Sequence, residues 1–352
     1  MKKIKIVKIG NLGVGGKNPI RIKGMLKAPA KKIDLLTKEA KLLEKEGAEA
    51  IRVAVPGEED AKLAGILKNY VSVPIAADIH FQPKLAVLAI NSGFDQIRLN
   101  PLNISNKKDV KRIAQLAGQK GVPIRVGLNS GGFRQPGITK KELAKQMVDK
   151  SSEYIEILES QNFFAIMVSL KCADIGATIA ANRMFRKKYN YPLHLGITAT
   201  GSYLEGIIKS SVGLGAMLNE GLGEIIRVSL TTDSLTEVKA AKYIAQSLGL
   251  RNFGPEIISC PTCSRCEVNL PEIVAKFKKR LEDRDCKKPL KIALMGCAVN
   301  GPGEAAQADL GVAFGKTEAV LFKKGKVFKK TKDDRVVDDL AKELEKYESK
   351  RN

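Results

Sequence analysis

From residue 31 to residue 249, stretches with helical periodicity alternate with short apolar runs. This alternation constrains the fold more than any other feature, because each run needs cover on both faces and each helix needs a surface to lie on. The stretch KKIDLLTKEAKLLEKEG shows the rule: Ile33, Leu36, Ala40 and Leu43 share one helical face, and Gly47 supplies the stop. Helices are expected over 58–70, 83–92, 107–120, 139–160, 174–189, 203–220 and 234–249. The strands between them read AIRVAV, PIAADI, DQIRL, PIRVGL, FAIMVSL, LHLGIT and EIIRVSL. A first strand around PIRIKGM completes eight strand–helix units, and Gly93, Gly121, Gly221 and Gly249 repeat the stop signal. Eight such units in this length suit a TIM (β/α)8 barrel. An open doubly wound sheet would carry a glycine-rich loop between its first strand and helix. GNLGVGG, from Gly10 to Gly16, precedes the first clear strand and reads as a hairpin turn.

Four strands carry Ile-Arg-Val or Ile-Arg-Leu, which places Arg52, Arg98, Arg125 and Arg227 in the second, fourth, fifth and eighth strands. A guanidinium does not shed its proton, so burying one without a partner is prohibitive. The tolerable place is the C-terminal mouth of the barrel, where active sites lie. The acids near strand ends are Asp78 and Asp233, which leaves a positive surplus. A doubly charged anion such as a diphosphate would balance it through bidentate contacts. His80, Asn100, Asn129, Ser169 and Lys171 collect at the same strand ends, whereas His194, early in its strand, reads as structural.

The net charge of +22 fits an anionic substrate, an acidic protein partner or nucleic acid. Aromatic content of 5% with no Trp argues against a stacking platform for single strands. Arginines set in barrel strands argue against a nucleic-acid-binding face. No apolar run approaches the roughly 18–20 residues that span a membrane, and MKKIKIVKIG lacks the apolar core of a signal peptide. A cytoplasmic enzyme is the expectation.

After Gly249 the pattern changes, so the barrel is assigned to 1–250 and a smaller α/β unit to 251–352. RNFGPEIISC reads as a linker, followed by a helix over 271–284, a strand KIALMG, a hairpin around LFKKGKVF and a final helix over 335–348. ISCPTCSRC puts Cys260, Cys263 and Cys266 close together, and LMGCAVNGPGE adds Cys297 and Glu304. In a reducing compartment such clustering points to metal or redox chemistry. Both histidines lie far back in the barrel, so the fourth ligand is either Cys266, giving an all-thiolate site for zinc or iron–sulfur, or a non-thiolate such as Glu304. Cys172 and Cys286 read as ordinary thiols.

SCPTCSR, LMGCAVNGPGEA, ADIHF, IRLNP, VGLNSG, HLGIT and IRVSL together resemble the bacterial 4-hydroxy-3-methylbut-2-enyl diphosphate synthases of the non-mevalonate isoprenoid pathway, over nearly the whole chain. The resemblance implies a TIM barrel binding methylerythritol cyclodiphosphate and a C-terminal domain holding a [4Fe–4S] cluster. It implies cluster ligands at Cys260, Cys263, Cys297 and Glu304, with Cys266 a bystander and Asn300 among the substrate-binding residues. It also implies reductive ring opening and dehydroxylation, ferredoxin or flavodoxin as electron donor, and a homodimer. Two places depart from the family: Thr-Glu-Ala-Gly reads Thr198-Ala199-Thr200-Gly201, and Gln-Ser-Met-Thr-Asn-Thr reads KGMLKA from Lys23 to Ala28. The missing acid makes His80 and Asp78 the candidate proton donors. The same departures motivate an alternative, a paralogous [4Fe–4S] reductase acting on another phosphorylated substrate.

Overall fold

A hairpin of strands Val7–Ile9 and Leu12–Val14 opens the computed structural model, turning at Gly10 with φ +56°. The structure describes residues 3–133, 137–284, 286 and 288–349. The chain separates into two compact units, Met1–Arg251 and Asn252–Asn352.

The first unit is a barrel of parallel strands, Arg21–Met25, Ala50–Val55, Ile75–Ile79, Gln96–Leu99, Ile124–Asn129, Ile166–Lys171, His194–Leu195 and Ile225–Ile226. Neighbours pair in chain order, and Ile225 of the eighth strand lies opposite Arg21 of the first. A single bridge from Val168 to Leu193 joins the sixth strand to the seventh and completes the ring. Val7, Ile9 and Val14 pack with Met167 and Ile225, so the hairpin stoppers the end opposite the strand C-termini.

Helix stops follow the glycine signal. Gly47, Gly93, Gly121, Gly221 and Gly249 all have positive φ, where a Cβ would be strained. Thr139 and Glu142 form a reciprocal capping box at the start of helix Lys140–Glu159. The expected helix over 58–70 is much shorter. A 3-10 turn, Asp60–Lys62, leads into helix Leu63–Leu67 alone. The Asp60 carboxylate accepts from the Gly57 N–H at 3.0 Å, which tightens the entry, and Gly65 weakens the middle.

The second unit is a five-stranded sheet in the order Glu256–Ser259, Lys291–Met295, Leu310–Phe314, Ala319–Lys323 and Lys326–Thr331. The first three strands run parallel and the last two complete antiparallel pairs. Alternation divides its faces. Ile292 and Leu294 pack with Leu270, Phe277, Val336 and Leu340, from helices Leu270–Glu282 and Val336–Ser349. Ala293 and Met295 face Ala305 of helix Gly301–Ala306. The linker reading of RNFGPEIISC needs correction, because Glu256–Ser259 is a strand. It lies at the sheet edge and is only partly buried, so it lacks the apolar run that marks a central strand. Strand Leu310–Phe314 is a further element that the sequence reading did not identify.

Candidate functional site: a cationic barrel mouth and a cysteine-bearing sheet end

Arg52, Arg98, Arg125 and Arg227 converge at the barrel mouth, but they are held differently. Arg98 is buried, donates to Asp78 Oδ1 at 3.1 Å and donates to the Gly127 carbonyl at 2.8 Å. Glycine at 127 makes this possible, since a Cβ there would lie 2.5 Å from Arg98 Nε. Arg52 lies 3.6 Å from the other Asp78 oxygen. Asp78 thus sits inside its strand between two guanidiniums. Burial pushes its carboxyl pKa up, but Arg52, His80, Arg98 and Arg125 outweigh burial and hold it well below the usual carboxylate range.

Arg125 is only 1% exposed and has no carboxylate partner among the described residues. One of its nitrogens contacts Ser169 Oγ at 3.3 Å and His194 Nδ1 at 3.0 Å. Its Nε and second terminal nitrogen are buried without partners. Burial and Arg52 both oppose its charge, yet a guanidinium keeps its proton, so an anion accepting from the free nitrogens would offset the cost. His194 accepts from Arg125 with Nδ1, and its Nε2 is unpartnered. Burial, then Lys171 and Arg125, hold its pKa well below the usual value, so the ring is neutral.

The acid opposite Arg227 is not Asp233. Asp233 caps helix Ser234–Ser247 by accepting from the Thr236 N–H at 2.8 Å. Arg227 pairs instead with Glu237, one turn further along, at 2.8 Å and bonds the Ser229 hydroxyl. Glu237 is 2% exposed, holds Lys27 at 2.8 Å and accepts from the Leu230 N–H at 2.8 Å. Sequence reasoning missed Glu237, whose signal is an acid in the first turn of a helix that follows a strand end.

Lys171 is buried at the end of its strand, and Lys23 is buried deeper in the barrel, opposite Ala50. Burial and then Arg125 and Arg52 drive both amine pKa values well below normal. His80 is 40% exposed on its side chain and stands 3.7 Å from Asp78. The residue after it, Phe81, has φ +56°, and Ala199 has φ +52°. Both are non-glycine residues in a left-handed conformation beyond barrel strands, a strain typical of functional rims. Asn129 is exposed at the end of its strand, opposite Lys171. Asn100 turns away to local work, accepting from the Leu102 N–H at 3.1 Å and contacting Asn103.

In the second unit, Cys260 and Cys297 follow two adjacent parallel strands, at the same end of the sheet. The Gly296 N–H donates to Cys260 Sγ at 3.3 Å. Cys266 packs beside Cys260, and a Cβ on residue 296 would come within 2.3 Å of its sulfur, so glycine is required there. The backbone N–H groups of Val299, then Asn300 and Gly301, lower the Cys297 thiol pKa, with a smaller contribution from Arg265. Cys263, Asn300 and Glu304 are exposed. Among the described residues, no three His, Cys, Asp or Glu side chains converge as metal ligands, so Cys260, Cys263, Cys297 and Glu304 share a sheet end without forming a closed cage. Their chemistry nonetheless fits a thiolate-bound metal, with backbone N–H donors already directed at two sulfurs. Cys172 is buried beside Thr178 Oγ1 at 3.0 Å, away from this set.

Comparison with known proteins places both units. Residues 4–242 match the GcpE TIM-barrel domain and residues 256–346 match the GcpE protein C-terminal domain. A protein of Thermodesulfovibrio yellowstonii named 4-hydroxy-3-methylbut-2-en-1-yl diphosphate synthase (flavodoxin) is 44% identical over 340 residues, covering 96% of this chain and 97% of that one. A protein of the same name from Caldanaerobacter subterraneus subsp. tengcongensis is 41% identical over 342 residues, covering 97% and 96%. Among solved structures, the dihydropteroate synthase of Yersinia pestis overlays with a TM-score of 0.51 at 14% identity, covering 69% of this chain and 98% of that one. That likeness supports the barrel fold alone.

Proposed function

This chain belongs to the GcpE family, and from that premise we propose that it converts 2-C-methyl-D-erythritol 2,4-cyclodiphosphate to 4-hydroxy-3-methylbut-2-enyl diphosphate. Two electrons and two protons enter, the ring opens, and one oxygen leaves as water. The observation that carries the reading is the buried arginine set of the barrel, with unpartnered nitrogens on Arg125 and Arg227. Such donors are costly unless an anion takes them. We assign Arg52, Arg98, Arg125 and Arg227 to the diphosphate, with Lys171, Ser169 and Asn129 beside them. Asn100 serves the shape of the rim, and Asn300 is an exposed polar residue of the second unit's motif.

A [4Fe–4S] cluster held by Cys260, Cys263, Cys297 and Glu304 would supply the electrons, received from flavodoxin, the donor in the relatives' names, or ferredoxin. Asp78 is the ionised partner that orients Arg98 and Arg52, which suits it poorly for donating a proton. His80, exposed at the rim beside it, is the better candidate for proton transfer. Exposed Ala199 leaves room at the same rim but carries no acid.

Among the described residues no helix is long and apolar enough to cross a membrane, and we place the enzyme in the cytoplasm. Leu204, Ile208 and Val212 form an exposed stripe on helix Tyr203–Asn219, suited to a homodimer contact that sedimentation would test.

The deciding experiment is anaerobic turnover of the cyclic diphosphate with a strong reductant. Product formation is expected, with Arg52→Met, Arg98→Met and Arg125→Met each weakening substrate binding by about 1.5–3 kcal/mol. Full cluster content with no turnover, unrelieved by Ala199→Glu, would remove this substrate assignment and favour the paralogous reductase.

A further inference from the structure

Lys23 stands in the first barrel strand with 2% of its surface exposed. Its Nζ bonds Gln96 Oε1 at 2.5 Å, and the Gln96 amide nitrogen contacts the Met167 sulfur at 3.0 Å. Met25, two residues on, lies opposite Arg52, so Lys23 sits below the level of that guanidinium. The groups that face it come from five other strands: Arg52, Asp78, Arg125, Lys171 and His194. Asp78 is the single acid among them, and its two oxygens are occupied by Arg98 at 3.1 Å and Arg52 at 3.6 Å. Lys23 therefore has no ion-pair partner among the described residues, in a place crowded with permanent positive charge.

A lysine differs from an arginine in that burial can strip its proton. Burial, then Arg125 and Arg52, push the Lys23 amine in that direction, and Asp78 opposes them weakly. Gln96 Oε1 accepts equally from an amine or an ammonium, so a change of protonation needs no rearrangement. An incoming anion reverses the balance, because it neutralises the arginines and favours a further positive charge beneath them.

We propose that Lys23 is a binding residue for the charge of the ligand, its amine taking a proton from solvent as an anion enters the barrel mouth. The inference rests on the reading of the mouth as an anion site. Affinity is then highest at low pH, where Lys23 is charged with or without ligand. It declines as pH rises through the window between the free and the bound pKa, by up to about tenfold per pH unit for one proton. Lys171 and His194 share the surroundings, but His194 must keep Nδ1 free to accept from Arg125.

Titration calorimetry of the anaerobically prepared full chain with sulfate tests this, since sulfate is fully ionised over the whole pH range of such an experiment and itself neither gains nor loses protons. Buffers of different ionisation enthalpy count the protons. The wild type should show proton uptake, and Lys23→Met should lose most of it and bind sulfate more weakly near neutral pH. Lys23→Gln, which keeps a polar group for Gln96, should behave the same way and serves if the Met variant does not fold. Sulfate binding with buffer-independent heat overturns the inference while leaving the anion site standing. Uptake undiminished in both variants also overturns it and assigns the proton to Lys171. No sulfate binding at any pH removes the anion site, and this inference with it.

Discussion

Arg98 in the barrel is tied to Asp78 and to the Gly127 carbonyl, while Cys263 and Glu304 in the second unit stand exposed, and among the described residues no three ligand-type side chains close around them. The barrel positions its charges from rigid strands and lets side chains of neighbouring strands hold them. The second unit places its cysteines on loops that follow two parallel strands and Glu304 on the short helix Gly301–Ala306, with backbone N–H groups directed at Cys260 and Cys297. On the proposed reading, the difference follows from what each site would bind. An anion that comes and goes needs a receptor built in advance. A resident metal group contributes its own binding energy to ordering its ligands.

The comparison is broken most severely at the cysteines. Cys260→Ser, Cys263→Ser or Cys297→Ser should each abolish iron and sulfide content while leaving barrel folding and anion binding intact. Cys266→Ser should retain the cluster. Iron and sulfide analysis of anaerobic protein checks this, and loss in Cys266→Ser with retention in Glu304→Ala would reverse the ligand assignment.

Asp78→Asn comes next, because it leaves buried guanidiniums without their carboxylate. It should cost about 3–5 kcal/mol of barrel stability at neutral pH, measured by denaturant unfolding. The folded carboxyl pKa is depressed, so the stability it confers is present above the unfolded value of about 3.9 and is lost as pH falls through the folded value. The gap between wild type and variant should therefore shrink in acid. A constant gap would mean that packing rather than charge is responsible.

Glu237→Gln sharpens the contrast within the barrel. It should free Arg227 and Lys27 and weaken ligand binding by about 1.5–3 kcal/mol, visible as a raised KM with a smaller change in kcat. The smallest effect belongs to the scaffold. Thr139→Ala removes a capping box and should cost about 1 kcal/mol of stability, leaving cluster content and anion affinity unchanged.

Much of this was legible from residue order. Strand–helix alternation, the glycine stops and the Ile-Arg strands of Arg52, Arg98 and Arg125 are local patterns, and they appear in the structure where periodicity places them, whereas the eighth strand is only Ile225–Ile226 and Arg227 follows its end. The failures were of other kinds. The 58–70 stretch has enough apolar residues for a helix, but Asp60 and Gly65 divert it. Glu256–Ser259 is half exposed at a sheet edge and carries no buried-strand signature. Asp233 is nearer to Arg227 in sequence, yet a helical turn carries Glu237 to the guanidinium while Asp233 caps the helix.

The sequence by itself determined the barrel, the two-part layout and the set of charged and sulfur-bearing residues, because these depend on period and composition over short spans. Tertiary structure alone decided which acid meets which arginine, that Lys23 and His194 lie among the guanidiniums, and that Cys260 and Cys266 crowd Gly296. The physical reason is that burial and pairing are set by register between strands distant in the chain. A buried charge takes its pKa and its partner from those neighbours, and residue order does not name them.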